Sequence, residues 1–262
     1  MKLLFVITVT NEDAAAVEKL LDYIRTISGK GGHLVLAIMS NTHEEMKARV
    51  RISAQLAFDV IHEMALLPLA DHTAPKSSQF NNIFRQVSQF ISKGFNWPFL
   101  WLDSNCTPKA SGWRELLWEA YDAQPRAFFG NKMMFKPMNK DASPIYFMDE
   151  VGIYPANAAD QMGVPAESSV VPIKVVCSNL VLPKLCMTKL IQPMNLASEG
   201  DLLSVREDAY LVTGDKLGLL RNQIKEEANK PNIVKLERNP NPAFIVNPDP
   251  LVNRLANGLA KK

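Results

Sequence analysis

The stretch Trp97–Pro108, WPFLWLDSNCTP, decides the fold. Phe99 to Leu102 is a continuous apolar run, the pattern of a strand covered on both faces, and it passes directly into the polar Asp103, Ser104 and Asn105. Upstream, Phe80, Ile83, Phe84, Val87, Phe90 and Ile91 share one helical face, and Gly94 ends that helix. Asp71 to Ser78 reads as a polar loop and Met64 to Leu69 as a third short strand. Before these, Asn41 or Thr42 caps a helix carrying Met46, Val50, Leu56 and Val60, and His33 to Ser40 is a second buried strand. Leu3 to Val9 is the first strand, Asn11 to Asp13 offer N-cap chemistry, and Val17, Leu20, Leu21, Ile24 and Ile27 recur at helical spacing until Gly29, Gly31 and Gly32. Strands alternating with helices over the first 120 residues predict an α/β fold with a mixed, mostly parallel sheet flanked by helices. Ligands bind such sheets beyond the carboxyl ends of the strands, where Thr8, Thr10 and Asp103 are expected.

Downstream of Asp103 the pattern is less regular. Trp113, Leu116, Leu117, Ala120 and Tyr121 mark a helix, Ala127 to Met133 a strand, and Tyr146 to Tyr154 an extended segment around Gly152. Lys136 to Pro144 reads as a mobile loop. Strands near Ile173–Cys177 and Asp201–Val205, a helix from Asp215 to Glu227 and a helix after Pro250 complete the reading. The expectation is a single domain, 1–262, with a regular half, 1–122, and a less regular half with a C-terminal segment, 123–262.

The 262 residues carry 29 Lys and Arg against 27 Asp and Glu, a formal charge of +2, which excludes a polycation coating nucleic acid by charge alone. Cys106, Cys177 and Cys186 are widely spaced with no CxxC pair, so neither a disulfide framework nor a cysteine zinc site is expected, and a cytoplasmic setting is the default. The opening MKLLFVITVTNED turns polar after Val9, the pattern of a first strand rather than a signal peptide, and no stretch is long and apolar enough to span a membrane. His33, His43, His62 and His72 form no HExxH, and no acid and nucleophile pattern accompanies them. The absence of GxGxxG after the first strand and of GxxxxGK[ST] disfavours dinucleotide oxidoreductases and P-loop enzymes.

Five groups of residues carry candidate chemistry. Asp103, followed two residues on by Asn105, can hold a divalent cation against a diphosphate, or Asp103 can simply cap its turn. Asn81, Asn82 and Arg85, one turn apart, can contact phosphate or a base edge, or form a solvated helix face. Arg126 to Lys140 carries Arg126, Lys132, Lys136 and Lys140 with no acid, interleaved with Phe128, Phe129 and Phe135, and reads as a nucleic-acid contact or as a buried strand followed by a solvated loop. Ser168 to Ser198 adds Lys174, Lys184 and Lys189, again without an acid. Asp149 and Glu150, ahead of GIYP, can supply a general base or form an exposed acidic turn.

With Trp97–Tyr121, Phe128–Gly130, Val151–Asn157 and Leu182–Gln192 in this order, the chain resembles the GT-A-type glycosyltransferases, and within them the phage-encoded enzymes that add sugars to modified bases of viral DNA. The resemblance implies a Rossmann-like GT-A fold whose half 1–122 binds the nucleotide sugar and whose half 123–262 binds the acceptor, with the nucleotide sugar beside Thr8 and Thr10, Asn81 and Arg85 toward its base or diphosphate, and Asp103 on Mg2+ or Mn2+. Asn105 stands where a second acid is usual, Lys174 and Pro193 stand where an acid and a histidine are usual, and the C-terminal AFIVNPDP leaves Asn247 and Asp249 as its possible metal ligands. The function implied is transfer of a sugar from a nucleotide sugar, a uridine diphosphate sugar foremost, to a hydroxyl on modified phage DNA, in the host cytoplasm. Asp149, Glu150 and Asp208 are the candidate bases. The alternative is a degenerate GT-A scaffold that binds nucleotide, DNA or protein without catalysis.

Overall fold

The computed structural model describes residues 2–69, 76–124, 128–135, 143–163, 175 and 177–229. The apolar runs fold as strands β1 (Leu4–Val9), β2 (His33–Met39), β3 (Val60–Leu66) and β4 (Phe99–Leu102), connected by helices α1 (Ala14–Ser28), α2 (Glu44–Ala57) and α3 (Lys76–Gly94). β1 pairs in parallel with β2 on one side and β4 on the other, and β2 pairs in parallel with β3. The chain therefore runs outward from β1 to β3, then crosses back over β1 to lay down β4. That reversal makes a topological switch point between β1 and β4.

The later elements are short: β5 (Thr107–Pro108), α4 (Trp113–Asp122), β6 (Phe128–Gly130), β7 (Lys132–Phe135), β8 (Ile145–Met148), β9 (Gly152–Tyr154), α5 (Ala158–Met162), α6 (Ser178–Val181), β10 (Leu185–Met187), β11 (Ile191–Pro193), β12 (Leu211–Thr213) and α7 (Leu219–Asn229). The central sheet has the order β10-β6-β9-β4-β1-β2-β3, with β9 antiparallel to both neighbours. A second sheet, β11-β12-β5, continues from the end of β4, and β7 pairs with β8 in a separate antiparallel ribbon. Met1–Arg221 forms one compact unit, and of the second unit, which begins at Asn222, the described residues are the remainder of α7.

Strand alternation sorts the core onto the two faces of the sheet. Phe5, Ile7 and Val9 pack with Leu34, Leu36 and Ile38 under α1 and α2, whereas Leu4 and Val6 pack with Val35, Ala37 and Met39 under Ile83, Phe84, Val87 and Ile91 of α3. Trp113 closes the first face, its ring 5.5 Å from Phe5 and its Nε1 donating to Ser28 Oγ at 2.8 Å. Beside it the buried Arg114 guanidinium lies 4.9 Å from the Phe58 ring centroid and donates to Ala57 O. Among the described residues no helix is long and apolar enough to cross a membrane.

Several expected boundaries move. Val60 belongs to β3, which starts there rather than at Met64, because the sheet edge accepts a half-exposed strand that lacks a clean apolar run. The strand expected at Asp201–Val205 is a 3-10 helix, Glu199–Ser204, fixed by a reciprocal capping box between Ser198 and Asp201. The strand expected over Ala127–Met133 divides at Asn131 into β6 and β7, and the segment Tyr146–Tyr154 divides into β8 and β9, each pair split between two sheets. The helix expected from Asp215 begins at Leu219. The N-cap of α2 is His43, whose N–H is taken by Asn11 Oδ1 at 2.8 Å rather than by Asn41 or Thr42. Of the loop expected at Asp71–Ser78, Lys76 to Ser78 are helical and the rest lies outside the described residues, as do 136–142 of the second expected loop and the helix after Pro250. Ile173, Lys174 and Val176 also lie outside them, while Cys177 is the N-cap of α6 and so not in a strand.

His33 and His62 meet at the amino ends of β2 and β3, His33 Nδ1 lying 3.4 Å from His62 Nε2 with the rings stacked, and Phe95 and Trp97 cover them. Burial, with the neighbouring His33, holds His62 below its ordinary value of 6.5. A base with a depressed folded pKa keeps its full contribution above the unfolded pKa and loses it as pH falls. Stability is therefore expected to drop as pH is lowered through 6.5, and His62→Gln to flatten that dependence in urea titrations at pH 7.5 and 5.5; parallel curves for both proteins would refute the assignment.

Candidate functional site

The register that sets Ile7 opposite Leu102 carries Asp103 to the level of Thr8 at the switch point. Asp103 Oδ1 accepts the Asn105 N–H at 2.7 Å and lies 3.5 Å from Cys106 Sγ, and its carbonyl accepts the Cys106 N–H. The turn-capping role open from the sequence is thus real. Among the described residues no hydrogen bond reaches Asp103 Oδ2 or the Asn105 side chain. Burial holds the Asp103 carboxyl above its ordinary range, the nearby charge of Glu150 pushes the same way, and the Asn105 N–H and Arg221 oppose both.

On the α3 side of the carboxyl ends of β1 and β2 lies a cleft of about 310 Å³, lined among others by Thr8, Thr10, Asn11, Asn41, Gln79 and Phe80. Its rim is locked. Asp13 Oδ1 accepts from Thr10 N at 2.6 Å and Thr10 Oγ1 at 3.0 Å, and Asn11 Nδ2 donates to Asn41 O. Burial raises Asp13 above its ordinary value.

The structure gathers the remaining candidates unevenly. Asn81 and Asn82 are buried rather than solvated; Asn82 Nδ2 donates to Leu67 O at 2.9 Å and Arg85 Nη2 to Asn82 Oδ1 at 3.3 Å, so Asn82 joins α3 to the end of β3. Neither Asn81 nor Arg85 is among the described residues lining the cleft. Asp149 Oδ1 accepts the Glu150 N–H, and Tyr154 Oη donates to Glu150 O, which fixes the entry to β9. Because β9 runs opposite to β4, that entry lies at the carboxyl end of β4, and Glu150 comes within electrostatic reach of Asp103. Asp208 is exposed and pairs with Arg206 at 3.4 Å. Asn247 and Asp249 lie outside the described residues. Phe128 and Phe129 are buried in β6 and present no face to a nucleic acid, whereas Lys132 sits 4.2 Å from the Tyr146 ring centroid on the β7–β8 ribbon.

Three residues not singled out from the sequence hold the Asp103 turn from beneath. Arg221 donates through Nε to Thr107 Oγ1 at 3.1 Å and through Nη2 to Ser104 O at 2.6 Å and Cys106 O at 2.9 Å. Asp215 accepts from Thr107 Oγ1 at 2.8 Å and from Arg221 N at 3.2 Å, and its own N–H donates to Asn105 O at 3.0 Å. The only local signal was an acid a few residues ahead of a helix.

The chain superimposes on the galactosyltransferase LgtC in complex with donor and acceptor sugar analogues with a TM-score of 0.52, at 12% identity over 89% of this chain and 98% of that one. The fold is GT-A. An active-site mutant of LgtC gives 0.51 at 11% identity over 86% and 95%, and mouse xyloside xylosyltransferase 1 in its apo form gives 0.49 at 11% over 82% and 97%. No protein-family model and no curated protein matches the sequence. In this GT-A framework the donor set at the strand end suits a hard divalent cation: a carboxylate oxygen and an amide oxygen two residues apart, with a second carboxylate close enough to raise the first. Among the described residues no group of three or more His, Cys, Asp or Glu forms a metal cluster, so phosphate or water oxygens would complete the shell.

Proposed function

We propose that this protein transfers a sugar from a uridine diphosphate sugar to a hydroxyl acceptor. The observation that carries the reading is the cleft at the carboxyl ends of β1 and β2 in a GT-A sheet, with the Asp103 turn at the end of β4, the strand on the other side of β1. The nucleoside occupies the cleft between Thr8, Thr10 and Phe80, and the diphosphate runs over the end of β1 toward Asp103. Asp103 and Asn105 would hold Mg2+ or Mn2+, which when bound would neutralise charge developing on the departing diphosphate. Glu150, held by the Asp149 turn and by Tyr154, takes the proton of the acceptor hydroxyl. A low-dielectric setting strengthens both effects.

For the acceptor we favour a hydroxylated base in phage DNA, met in the host cytoplasm. Tyr146 is exposed on the β7–β8 ribbon with Lys132 over its ring, a pairing that suits a stacked base and its phosphate. The test uses the purified protein with UDP-glucose, Mn2+ and duplexes bearing 5-hydroxymethylated pyrimidines. Saturating UDP and Mn2+ should raise the melting temperature by roughly 5 °C or more, and UDP should be released faster with modified than with unmodified duplex. A melting shift with no UDP release would identify a binding scaffold; no shift with any nucleotide sugar would refute the donor site.

A further inference from the structure

The feature that the nucleotide-sugar reading does not use is the buried network under the Asp103 turn. Arg221 is 8% exposed and Asp215 1% exposed, and together they take the carbonyls of three consecutive residues, Ser104, Asn105 and Cys106, plus the hydroxyl of Thr107. These partners are separated by more than a hundred positions in the chain, so no local turn preference produces the arrangement. Desolvating a guanidinium and a carboxylate is costly, and packed apolar side chains would hold two segments together at least as stably. What apolar packing does not supply is direction: a planar guanidinium fork binds carbonyls only at set angles, so it specifies the path of the turn as well as its position. The one charged side chain of that turn is Asp103, which caps it by accepting the Asn105 N–H at 2.7 Å.

We infer that Arg221, oriented by Asp215, is a positioning residue that sets the Asp103–Thr107 turn in the shape that receives a metal-bound diphosphate. The inference rests on the nucleotide-sugar reading of the site. Arg221 itself touches no ligand; it acts through the backbone of the turn. Supporting groups of this kind typically alter metal or ligand affinity by about 10–100-fold when removed.

The experiment compares the full-length protein with Arg221→Lys and Arg221→Met, reading UDP affinity with Mn2+ by calorimetry, ligand-free melting temperature, and hydrogen exchange at the amides of Asn105 to Thr107. Lysine keeps the charge but loses the fork, and it remains available if the methionine variant does not fold. The expected result is UDP affinity at least about tenfold weaker in Arg221→Lys, with melting within a few degrees of the parent and exchange accelerated at the turn but unchanged in β1 and β2. A lowered melting temperature with unchanged UDP affinity would make Arg221 purely structural and overturn the proposal. If the parent protein binds no UDP, the donor reading fails by itself, and exchange decides the positioning role: acceleration confined to the turn sustains it, and unchanged exchange overturns it.

Discussion

Asp103→Asn is expected to weaken Mn2+-dependent UDP binding by at least about 100-fold and to remove sugar transfer, because it deletes the anionic ligand of the proposed cation. The substitution is close to isosteric and keeps an oxygen able to accept the Asn105 N–H, so the turn that Asp103 caps survives. Burial already disfavours the charged form of this carboxyl, and losing the charge therefore costs the ligand-free fold little. Calorimetry with UDP and Mn2+ beside thermal melting separates the two effects: unchanged affinity would reduce Asp103 to a turn cap. Glu150→Gln supplies the contrast, since a base contributes to transfer but not to donor binding, and transfer should fall by about 100-fold or more while UDP affinity holds. Equal loss of both in Glu150→Gln would place Glu150 among the donor contacts instead.

The largest effect on stability is expected from Trp113→Ala. Trp113 is fully buried, stacks its edge against Phe5 and donates its only N–H to Ser28 Oγ. Truncation removes the ring, leaves a cavity between α4 and the sheet, and uncovers one side of the Arg114 guanidinium, whose carbon lies 5.7 Å from the Trp113 ring centroid. The cost is expected to be about 3–5 kcal/mol, a fall in melting temperature on the order of 10 °C. Trp113→Phe should recover more than half of it by refilling the space without the hydrogen bond. A loss below about 1 kcal/mol for the alanine variant, measured by urea denaturation, would show that the layer collapses around the gap.

The framework was legible wherever burial on both faces wrote itself as an unbroken apolar run. Leu3 to Val9, His33 to Ser40 and Phe99 to Leu102 declared themselves strands for that reason, and Asp103 stood out because it interrupts such a run at a carboxyl end. β3 was less legible because Val60 continues the helical spacing of Met46, Val50 and Leu56, and the edge of a sheet imposes no apolar rule to contradict it. Leu202, Leu203 and Val205 look like strand residues, but the reciprocal Ser198 and Asp201 bonds form locally and decide in favour of a helical turn. β5 and β12 are too short to carry a periodicity. At the site, Thr8, Thr10 and Asp103 can be placed because they follow from strand ends, whereas Asn82 cannot, because an amide has the same letter whether it faces water, a ligand or a carbonyl at the end of another strand. Arg221, Asp215 and Thr107 had no local signature at all, since their relation exists only once distant parts of the chain have met.

That last property has a kinetic side. β1, β2 and β3 are joined through neighbouring helical crossovers, so their pairings close modest loops, whereas Phe99 must come back to Leu4 from beyond β3, and Thr107 must wait for Val212 to arrive through β12. Loop-closure entropy orders these events, with the longest connections made last. The framework of the sheet is then an early product of folding and the shape of the Asp103 turn a late one. By the same order in reverse, local opening reaches the turn before it reaches the sheet, and a bound diphosphate would act as a clasp on the part of the molecule that assembles last.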